Sequence, residues 1–504
     1  MDEVEELVGE FLADANDAFN VNLVRAGKPV FEEPFHPIFT YPIFGEEERV
    51  FGYTDLEINL QFRAHDLLPS LGITYEKKFR PIGDTKAMDI KDMIKDYLPE
   101  NMLAKDEAMA GENSEDGSAS SNWTPPGKRI HQYKQHGKQF EIWLTGLTDP
   151  VAKEILRRMQ IFIPFYIEGG TCQDLEEELW TMARWKLFLL YEVAPAKDGT
   201  APPYIFAGFS TSYRLWVFPT HEVLARVNNC STAEIEPPEP LPRDPDTLRY
   251  SGDYSPMDAP SRERISQFLI IPPYQGQAHG THLYNKMMDI FLSDKYVVEV
   301  TVEDPSEAFD DLRDWCDLAR LRSNPEFADL NVADKVPEDA LRPNAEVPSD
   351  KLLPQNTIEK IYKASRIVPR QFARLVEMHT LSKIPARHRS PARISRKHKA
   401  ADPNDRRYYF WRHLAKKRLY IHNRDQLIQI EESERVEKVE QALGGVETDY
   451  IRLLEGAERR AANGEGASGG SGKKPAKRKK AVIEDEDEDE DEEPEKAKKA
   501  KSTK

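Results

Sequence analysis

A glycine-containing loop between a strand-like and a helix-like segment constrains the fold of this chain more than any other feature. The loop, residues 275–280, reads Gln-Gly-Gln-Ala-His-Gly and follows the apolar run 268–271. After it, Leu283 and Met287 begin an apolar stripe at helical spacing, and residues 297–302 form a second strand-like run. These segments make one βαβ unit, whose two strands should be parallel neighbours. The glycines allow a tight turn and the start of the helix favours an anion, so the loop predicts a nucleotide-bearing cofactor.

The rest of the pattern predicts a mixed, mainly antiparallel sheet with flanking helices. Predicted strands before the loop cover residues 140–144, 161–166, 185–191 and 204–208, and the sheet resumes at Ile265. In the N-terminal part, helices are predicted over residues 3–19 and 87–97, and strands over 50–62 and 73–79. Residues 355–460 are predicted to be predominantly helical, with an exposed helix pair over 426–454 broken at Gly444-Gly445.

Composition and charge narrow the class of protein. The 504 residues carry a formal net charge of -18, which argues against general DNA binding and suits a basic partner or substrate. Cys172, Cys230 and Cys316 lie far apart and form neither a metal-binding pattern nor a disulfide framework. The acidic N-terminus lacks the apolar stretch of a secretory signal and no window approaches a transmembrane span, so we expect an intracellular protein without a membrane partner.

The loop sequence narrows the class of cofactor that the protein could bind. The dinucleotide fingerprint needs a third glycine within a parallel sheet, and no Gly-Lys-Ser/Thr follows as in a Walker loop. What matches is the Gln-x-x-Gly-x-Gly/Ala pattern by which acetyltransferases of the GNAT superfamily bind coenzyme A, with Ala278 where glycine is also common. Residues 267–280 and 300–314 closely resemble the catalytic subunits of type B histone acetyltransferases. Residues 39–45 and 370–378 resemble the same family, so the resemblance runs from about residue 30 to about residue 380.

The resemblance implies both an architecture and an activity. It implies an α+β GNAT fold with an N-terminal mixed α/β domain over 1–104, a catalytic domain over 123–323 with an insertion at 220–261, and a C-terminal helical domain over 324–460. It further implies acetyl transfer from acetyl-CoA, without a metal, to lysine in the N-terminal tail of newly made histone H4, accompanied by H3. A WD40-repeat histone-binding subunit, a location in cytoplasm and nucleus, and links to DNA repair and telomeric silencing follow from the same resemblance.

Carboxylates are the predicted catalytic groups. A lysine ammonium has a pKa of roughly 10.4, so a base must take its proton before the nitrogen can attack a thioester. Glu303, at the end of a strand beside the cofactor loop, is the first choice. Asp304 is a second candidate, although Asp304-Pro305-Ser306-Glu307 also has the pattern of a helix start with Asp304 as N-cap. Glu168, predicted to end an earlier strand, matches another acidic site residue of the family and could share the proton or hold the lysine.

The cofactor contacts are predicted to be mainly main-chain contacts. Phe268, Leu269 and Ile270 are expected to line the pantetheine arm where two strands separate, and one N–H can stabilise the thioester oxygen. The pyrophosphate is expected against Gln275, Gly276, Gln277, Ala278, His279, Gly280 and Thr281, and Ser306 is carried over from the family as a further contact. Because His279 lies inside the phosphate loop, we exclude it from catalysis. Neither matched motif contains a cysteine, which disfavours a covalent acetyl-enzyme.

Two segments are predicted to hold the acceptor peptide. Glu46, Glu47 and Glu48, and Tyr213, Arg214 and Leu215, fall where the family has its peptide contacts, and acidic residues suit a basic peptide. Arg214 departs from that logic because it places a positive charge near a basic ligand. Two other readings stay open: a GNAT enzyme with another acceptor, such as a polyamine or another protein tail, or a noncatalytic histone-binding scaffold.

Low-complexity sequence is predicted to be disordered in two places. The loop 105–122 is rich in Gly, Ser, Asn and acidic residues, and the tail 461–504 contains a Lys/Arg cluster at 473–480 followed by an acidic run at 484–493. The cluster resembles a nuclear localisation signal and the acidic run resembles histone-chaperone tails. A solvating tail without specific contacts is the alternative for both.

Overall fold

A computed structural model describes residues 9–99, 122–195, 201–235, 243–248, 256–338, 346–390 and 400–462. The described chain forms two compact units. Of the described residues, the first contains those up to Leu330, Pro354–His379 and 455–462, and the second contains Asn331–Leu353 and Thr380–Leu454. The predicted disordered segments 105–122 and 461–504 lie almost entirely outside the described residues.

All the strands found in the described residues belong to the first unit. They are β1 Leu12–Asp14, β2 Phe19–Arg25, β3 Lys28–Pro29, β4 Arg49–Phe51, β5 Tyr53–Thr54, β6 Glu57–Arg63, β7 Pro69–Thr74, β8 Lys77–Lys78, β9 Lys128–Gln135, β10 Lys138–Gly146, β11 Trp185–Val193, β12 Tyr204–Trp216, β13 Ser261–Ile270 and β14 Val297–Val302.

The helices are distributed over both units. They are α1 Ala15–Ala18, α2 Tyr41–Phe44, α3 Ile90–Ile94, α4 Pro150–Met159, α5 Phe162–Tyr166, α6 Leu179–Ala183, α7 His221–Asn228, α8 His279–Ser293, α9 Glu307–Arg322, α10 Pro325–Ala328, α11 Ser349–Leu352, α12 Gln355–Ser365, α13 Pro369–Ser382, α14 Pro403–His422, α15 Arg424–Leu427 and α16 Glu432–Ala462. Among the described residues, no helix is both long and apolar enough to cross a membrane.

The main sheet has six strands in the order β14-β13-β12-β11-β10-β9. Every neighbouring pair is antiparallel except β13 and β14, which are parallel. The parallel pair is joined by α8, so the βαβ unit predicted from the glycine loop is confirmed. The strands predicted at 140–144, 185–191 and 204–208 lie within β10, β11 and β12 and are also confirmed.

A second sheet of four strands, in the order β3-β2-β6-β7, forms the N-terminal part of the same unit. Its buried side chains and those of the main sheet belong to one hydrophobic core. Phe19 of β2, for example, packs on Phe165 of α5 with ring centroids 5.0 Å apart. The N-terminal sheet and the main sheet therefore share a core.

Three sequence-based element predictions are wrong. Residues 161–166 are not a strand: α5 is a short helix whose five side chains are all buried, and a fully apolar run does not distinguish a strand from a buried helix. The predicted helix 3–19 is interrupted in its described part by strand β1, which is followed by the one-turn helix α1 that the Asp14 side chain caps. Gly444 and Gly445 do not break a helix pair, because α16 continues through them.

The continuous α16 has a physical explanation. Each glycine inside a helix costs about 1 kcal/mol relative to alanine. On either side of the glycines, however, Leu443, Val446 and Tyr450 are buried in the second unit and recur at helical spacing. Their burial, at about 1.5–3 kcal/mol for a large side chain, outweighs the glycine penalty.

Candidate active site

The candidate active site lies where β13 separates from β14. On β12, Thr211 is opposite Gln267 of β13 while the next residue, Ser212, is opposite Ile265, so Ser266 is the extra residue of a β-bulge. The parallel pairing of β13 with β14 ends at Ile265. The rest of β13 has no strand partner on that side within the described chain, which leaves its main-chain groups on that edge available to a ligand.

Glu303 follows β14 directly and lies at the point of separation. Its N–H donates to the Ile265 carbonyl at 2.9 Å, which fixes the backbone. Its carboxylate accepts from Ser266 Oγ at 2.7 Å and from the Tyr213 hydroxyl at 3.3 Å, and the Arg264 guanidinium lies 3.6 Å away. The side chain is 35% exposed. Glu303 is therefore held in one orientation and remains accessible.

Tyr213 contacts both Glu303 and the ring of Trp185. Its ring lies 4.5 Å from that of Trp185, and the Arg184 guanidinium lies 5.8 Å from its centroid. Burial, and secondarily the negative charge of Glu303, raises the pKa of the Tyr213 hydroxyl. The phenol therefore stays protonated at neutral pH and can donate to the carboxylate.

Asp304 and Ser306 continue the chain towards α9. The prediction that Asp304 is the N-cap is wrong: Ser306 is the N-cap, and its Oγ accepts from the Phe309 N–H at 3.3 Å. Asp304 is exposed and its φ of +33° lies in the left-handed region. Asp304 thus stands beside Glu303 as an exposed carboxylate, while the side chain of Ser306 stabilises the helix start.

The glycine loop turns sharply into α8. Gly276 and Ala278 have φ values of +71° and +65°, and Ala278 is an N-cap without a side-chain capping bond. The side-chain amides of Gln275 and Gln277 donate to main-chain carbonyls of the same segment at 2.7 and 2.9 Å. Both glutamines therefore stabilise the loop, and the first N–H groups of α8 remain without intrahelical acceptors.

Gly280 allows α8 to approach its neighbours closely. A Cβ on this residue would lie 3.2 Å from Leu312 of α9 and 3.6 Å from the Phe268 ring of β13. Thr281, the next residue, is buried. Glycine at this position therefore brings the start of α8 against the unpaired half of β13.

The side chain of His279 packs into the core. Its Nδ1 lies 2.8 Å from the Tyr133 hydroxyl and its ring 4.2 Å from that of Phe140. Burial lowers the pKa of His279 to about 4, and that of His282, which stacks on Tyr133 at 3.8 Å, is also lowered to about 4. Only the main chain of His279 is therefore placed where the predicted phosphate contact requires it.

Glu168 lies in a loop after α5, not at the end of a strand as predicted, and its side chain is exposed. Two hydrogen bonds fix this loop. The Gly169 N–H donates to the Tyr41 hydroxyl at 3.0 Å, and Gln267 Nε2 donates to the Thr171 carbonyl at 3.0 Å. The loop is thereby attached to β13 at the residue after the bulge.

The same contacts show which sheet face the loop covers. Gln267 Oε1 accepts from Thr211 Oγ1 at 3.0 Å. Thr211 and Tyr213 are two residues apart on β12, so their side chains lie on one face. The structure therefore brings the loop of Glu168 to the face on which Tyr213 contacts Glu303.

The acidic segment 46–48 adjoins that loop through Tyr41. Glu46 and Glu47 are exposed after α2. The carboxylate of Glu48 accepts from the Thr40 and Tyr41 N–H groups at 2.6 and 3.1 Å. Glu48 therefore stabilises the start of α2, while Glu46 and Glu47 add exposed negative charge.

Known proteins resemble this chain over most of its length. The type B catalytic subunit of histone acetyltransferase from Aspergillus oryzae is 40% identical over 459 residues, covering 88% of this chain and 86% of the relative. The subunit of the same name from Neurospora crassa is 36% identical over 476 residues, covering 89% and 88%. Residues 11–168 match the family described as "Histone acetyl transferase HAT1 N-terminus". The chain belongs to the family of type B histone acetyltransferase catalytic subunits. The predicted family, the enzyme class of lysine acetyltransferase and the α+β GNAT fold are thereby confirmed.

In this acetyltransferase, the three residues of the second predicted peptide segment, 213–215, differ in burial and in their contacts. Tyr213 contacts Glu303 and Leu215 is half-buried, whereas Arg214 is buried. Its guanidinium donates to the Met257 carbonyl and pairs with Asp294. The conflict between Arg214 and a basic ligand is therefore resolved, because its charge is neutralised inside the protein.

Sequence reasoning missed three site residues. Ser266 and Arg264 contact the Glu303 carboxylate, and Trp185 packs on Tyr213. Four of the five residues 262–266 are polar, which could have indicated a strand with an accessible face. Their convergence on Glu303 depends on strand pairing, which no local pattern contains.

Proposed function

We propose that this enzyme transfers the acetyl group of acetyl-CoA to lysine in the N-terminal tail of newly made histone H4. The observation that carries the proposal is the Glu303 carboxylate, held by Ser266 and Tyr213 at the separation of β13 and β14 and still accessible. The name of the relatives supports a histone as acceptor. Exposed Glu46, Glu47 and Glu168 provide negative charge suited to a basic tail.

The described residues fit acetyl-CoA at two places. Beyond Ser266, the open edge of β13 offers those main-chain groups of Phe268, Leu269 and Ile270 that point away from β12, except the Ile270 carbonyl, which accepts from Gln275 Nε2 at 2.7 Å. The start of α8 offers N–H groups and the positive end of its dipole to a pyrophosphate. Ser306 differs from the other predicted contacts, because its hydroxyl oxygen already accepts a hydrogen bond as the N-cap of α9 and only its O–H is left to donate to the cofactor.

In the proposed reaction, Glu303 is the general base. Its carboxylate takes a proton from the lysine ammonium, which leaves a lone pair on the nitrogen to form the new C–N bond at the acetyl carbon. The C–S bond then breaks, the nitrogen loses its second proton as the amide forms, and the leaving thiolate of coenzyme A takes up a proton. Ser266 and Tyr213 keep the carboxylate pointed at the acceptor, and Glu168 and Asp304 supply further negative charge near the cationic lysine.

The partners and location of the enzyme are proposed from its family. We propose that histone H3 accompanies the acceptor histone and that a WD40-repeat histone-binding subunit is the partner of the enzyme. We propose that the enzyme is located in cytoplasm and nucleus. The Lys/Arg cluster at 473–480 supports nuclear entry. No direct contact with DNA is proposed, because the chain carries a net charge of -18.

Three acceptors test the proposal in one experiment. The full chain is incubated with acetyl-CoA and an H4 tail peptide, the same peptide with every lysine replaced by arginine, or spermidine, and the products are identified by mass spectrometry. We expect acetylation of the first peptide alone. Acetylation of spermidine but not of the peptide would assign another acceptor, and peptide binding without any acetylation would indicate a scaffold.

A further inference from the structure

The end of α16 is attached to the helix that follows the candidate active site. Gly456 of α16 is buried, and a Cβ on this residue would lie 3.1 Å from the Trp315 ring of α9. The Cζ of Arg460 lies 3.2 Å from the centroid of the same ring. Glu455 and the described residues after it belong to the same compact unit as α9. The chain therefore leaves α16 from a point that is fixed on α9.

Helix α9 limits the distance between this attachment point and Glu303. Trp315 follows Glu307, the first residue of α9, by eight positions, which is about 12 Å along a helix. Glu303 precedes Glu307 by four positions, and four residues span at most about 14 Å. The Cα atoms of Glu303 and Trp315 are therefore at most about 26 Å apart.

The sequence beyond α16 carries a dense group of lysines, the Lys/Arg cluster at 473–480. Six of its eight residues are Lys or Arg, and five of these are lysines. Residues 463–480 can span up to about 60 Å, which is more than twice the largest possible distance between Glu303 and Trp315. Covalent geometry therefore allows lysines of the cluster to reach Glu303 of their own chain.

The charges near the candidate active site suit this cluster. Glu46, Glu47 and Glu168 are exposed, and the loop of Glu168 lies on the face where Tyr213 contacts Glu303. These carboxylates attract a basic segment and repel the acidic run at 484–493. Lysines before the acidic run are therefore better acceptors than those that follow it.

We propose that the enzyme acetylates lysines of its own Lys/Arg cluster in cis. This inference rests on the proposed function and adds a second acceptor to the same site. The Glu303 carboxylate takes a proton from the lysine ammonium, and the nitrogen forms a C–N bond to the acetyl carbon of acetyl-CoA. The C–S bond breaks, the nitrogen loses its second proton, and the thiolate of coenzyme A takes up a proton.

Self-acetylation changes how the cluster competes for the site. Because the cluster is tethered, its local concentration at Glu303 does not depend on the enzyme concentration. Each acetyl group removes one positive charge, which weakens the attraction between the cluster and the exposed carboxylates. The unmodified cluster therefore competes with a basic acceptor, and the acetylated cluster leaves the site open.

A mixture of two full-length chains tests the proposal. Unlabelled wild-type enzyme is mixed with heavy-isotope-labelled Glu303→Gln and acetyl-CoA, without a histone acceptor, and acetylated sites on each chain are identified by mass spectrometry. We expect acetyl-lysine at 473–480 of the unlabelled chain alone. Its first-order rate constant should stay within about twofold when both chains are diluted about 100-fold, because the reaction is intramolecular.

Three controls exclude other causes. Glu303→Gln alone with acetyl-CoA measures spontaneous acetylation of the cluster. Lys360 of α12, whose side chain is 71% exposed, measures acetylation of an accessible lysine outside the cluster and should stay unmodified. Replacing all five lysines of the cluster by arginine should abolish acetylation there and leave the kcat for an H4 tail peptide unchanged. Equal thermal midpoints would exclude unfolding of the variants.

The outcomes separate this inference from the proposed function. Equal acetylation of the labelled and unlabelled chains would show transfer between molecules, and equal acetylation of Glu303→Gln alone would show a spontaneous reaction. Either result would overturn the inference. An unmodified cluster in an enzyme that acetylates the H4 tail peptide would also overturn it and leave the proposed function intact. Failure of the wild-type enzyme to acetylate the H4 tail peptide would instead overturn the proposed function.

Discussion

Glu263 is the centre of a buried charge cluster on β13, and its removal should destabilise the enzyme strongly. Its side chain is fully buried, both carboxylate oxygens lie 2.8 Å from Lys186 Nζ, and Ser212 Oγ donates at 2.7 Å. The Arg214 Nε lies 3.8 Å away. Glu263→Gln would keep the shape but leave the Lys186 ammonium without its counterion.

The expected cost follows from the burial of the partners. Breaking a buried ion pair by removing one member costs about 3–5 kcal/mol. The Lys186 side chain retains 22% exposure and Arg214 keeps Asp294, so we expect the lower end, about 3 kcal/mol. Glu299→Gln is the matched control, because the Arg262–Glu299 pair is more exposed and should contribute only about 0–1 kcal/mol.

Urea unfolding of the full chain measures this difference. Six of the seven tryptophans lie in the compact unit that carries Glu263, so their fluorescence follows the unfolding of that unit. The free energy of unfolding should fall by about 3 kcal/mol at an unchanged denaturant slope. A loss below 1 kcal/mol, equal to that of Glu299→Gln, would show that Glu263 is not a required counterion of Lys186. Replacing both Glu263 and Lys186 by methionine should restore part of the loss.

Three further predictions concern the cofactor side. Gly208→Ala would place a Cβ 2.5 Å from the Leu269 carbonyl and force β13 to shift, so the KM for acetyl-CoA should rise more than that of the peptide in steady-state kinetics. Ser306→Ala removes the N-cap of α9 and should lower the free energy of unfolding by about 0.5–2 kcal/mol, whereas Ser306→Asp should retain the cap. If only Ser306→Asp raised the KM for acetyl-CoA, Ser306 would contact the cofactor. The pKa of His279 is about 4 in the folded chain against roughly 6.5 in the unfolded chain, so the unfolded chain takes up a proton first as the pH falls. The free energy of unfolding should therefore fall by up to about 3 kcal/mol between pH 6.5 and pH 4. His279→Gln should flatten this part of the pH profile.

Sequence predicts two kinds of feature in this chain: elements whose apolar residues recur at a regular spacing, and loops whose residues suit an anion. The βαβ unit around the glycine loop is such a feature, because apolar spacing distinguishes strand from helix and the loop marks the boundary. Helix α5 is not, because its apolar run has no polar face to reveal a period. The cap of α9 was misplaced because Asp304 and Ser306 are both good N-cap residues, and proline after Asp304 favoured the wrong one.

The least predictable part of the site is the environment of Glu303. Its position could be proposed from the end of β14, but its hydroxyl partners depend on the bulge at Ser266. Residues 261–266 contain no glycine or proline that would indicate an irregular strand, so nothing local indicates an extra residue. The bulge is defined only by how β13 pairs with β12, and it is this pairing that brings Ser266 and Tyr213 to one carboxylate.

The rate of acetyl transfer by Glu303→Gln shows whether Glu303 is the general base. With saturating acetyl-CoA and an H4 tail peptide near neutral pH, we expect a fall in kcat of about 10²- to 10⁴-fold, the usual contribution of a general base. The KM for acetyl-CoA should be unchanged, and Glu299→Gln on β14 should stay within about twofold of wild type, because Glu299 pairs with Arg262 and has no contact with Glu303. A wild-type kcat for Glu303→Gln, or an equal loss in Glu299→Gln, would contradict the assignment of Glu303 as the base.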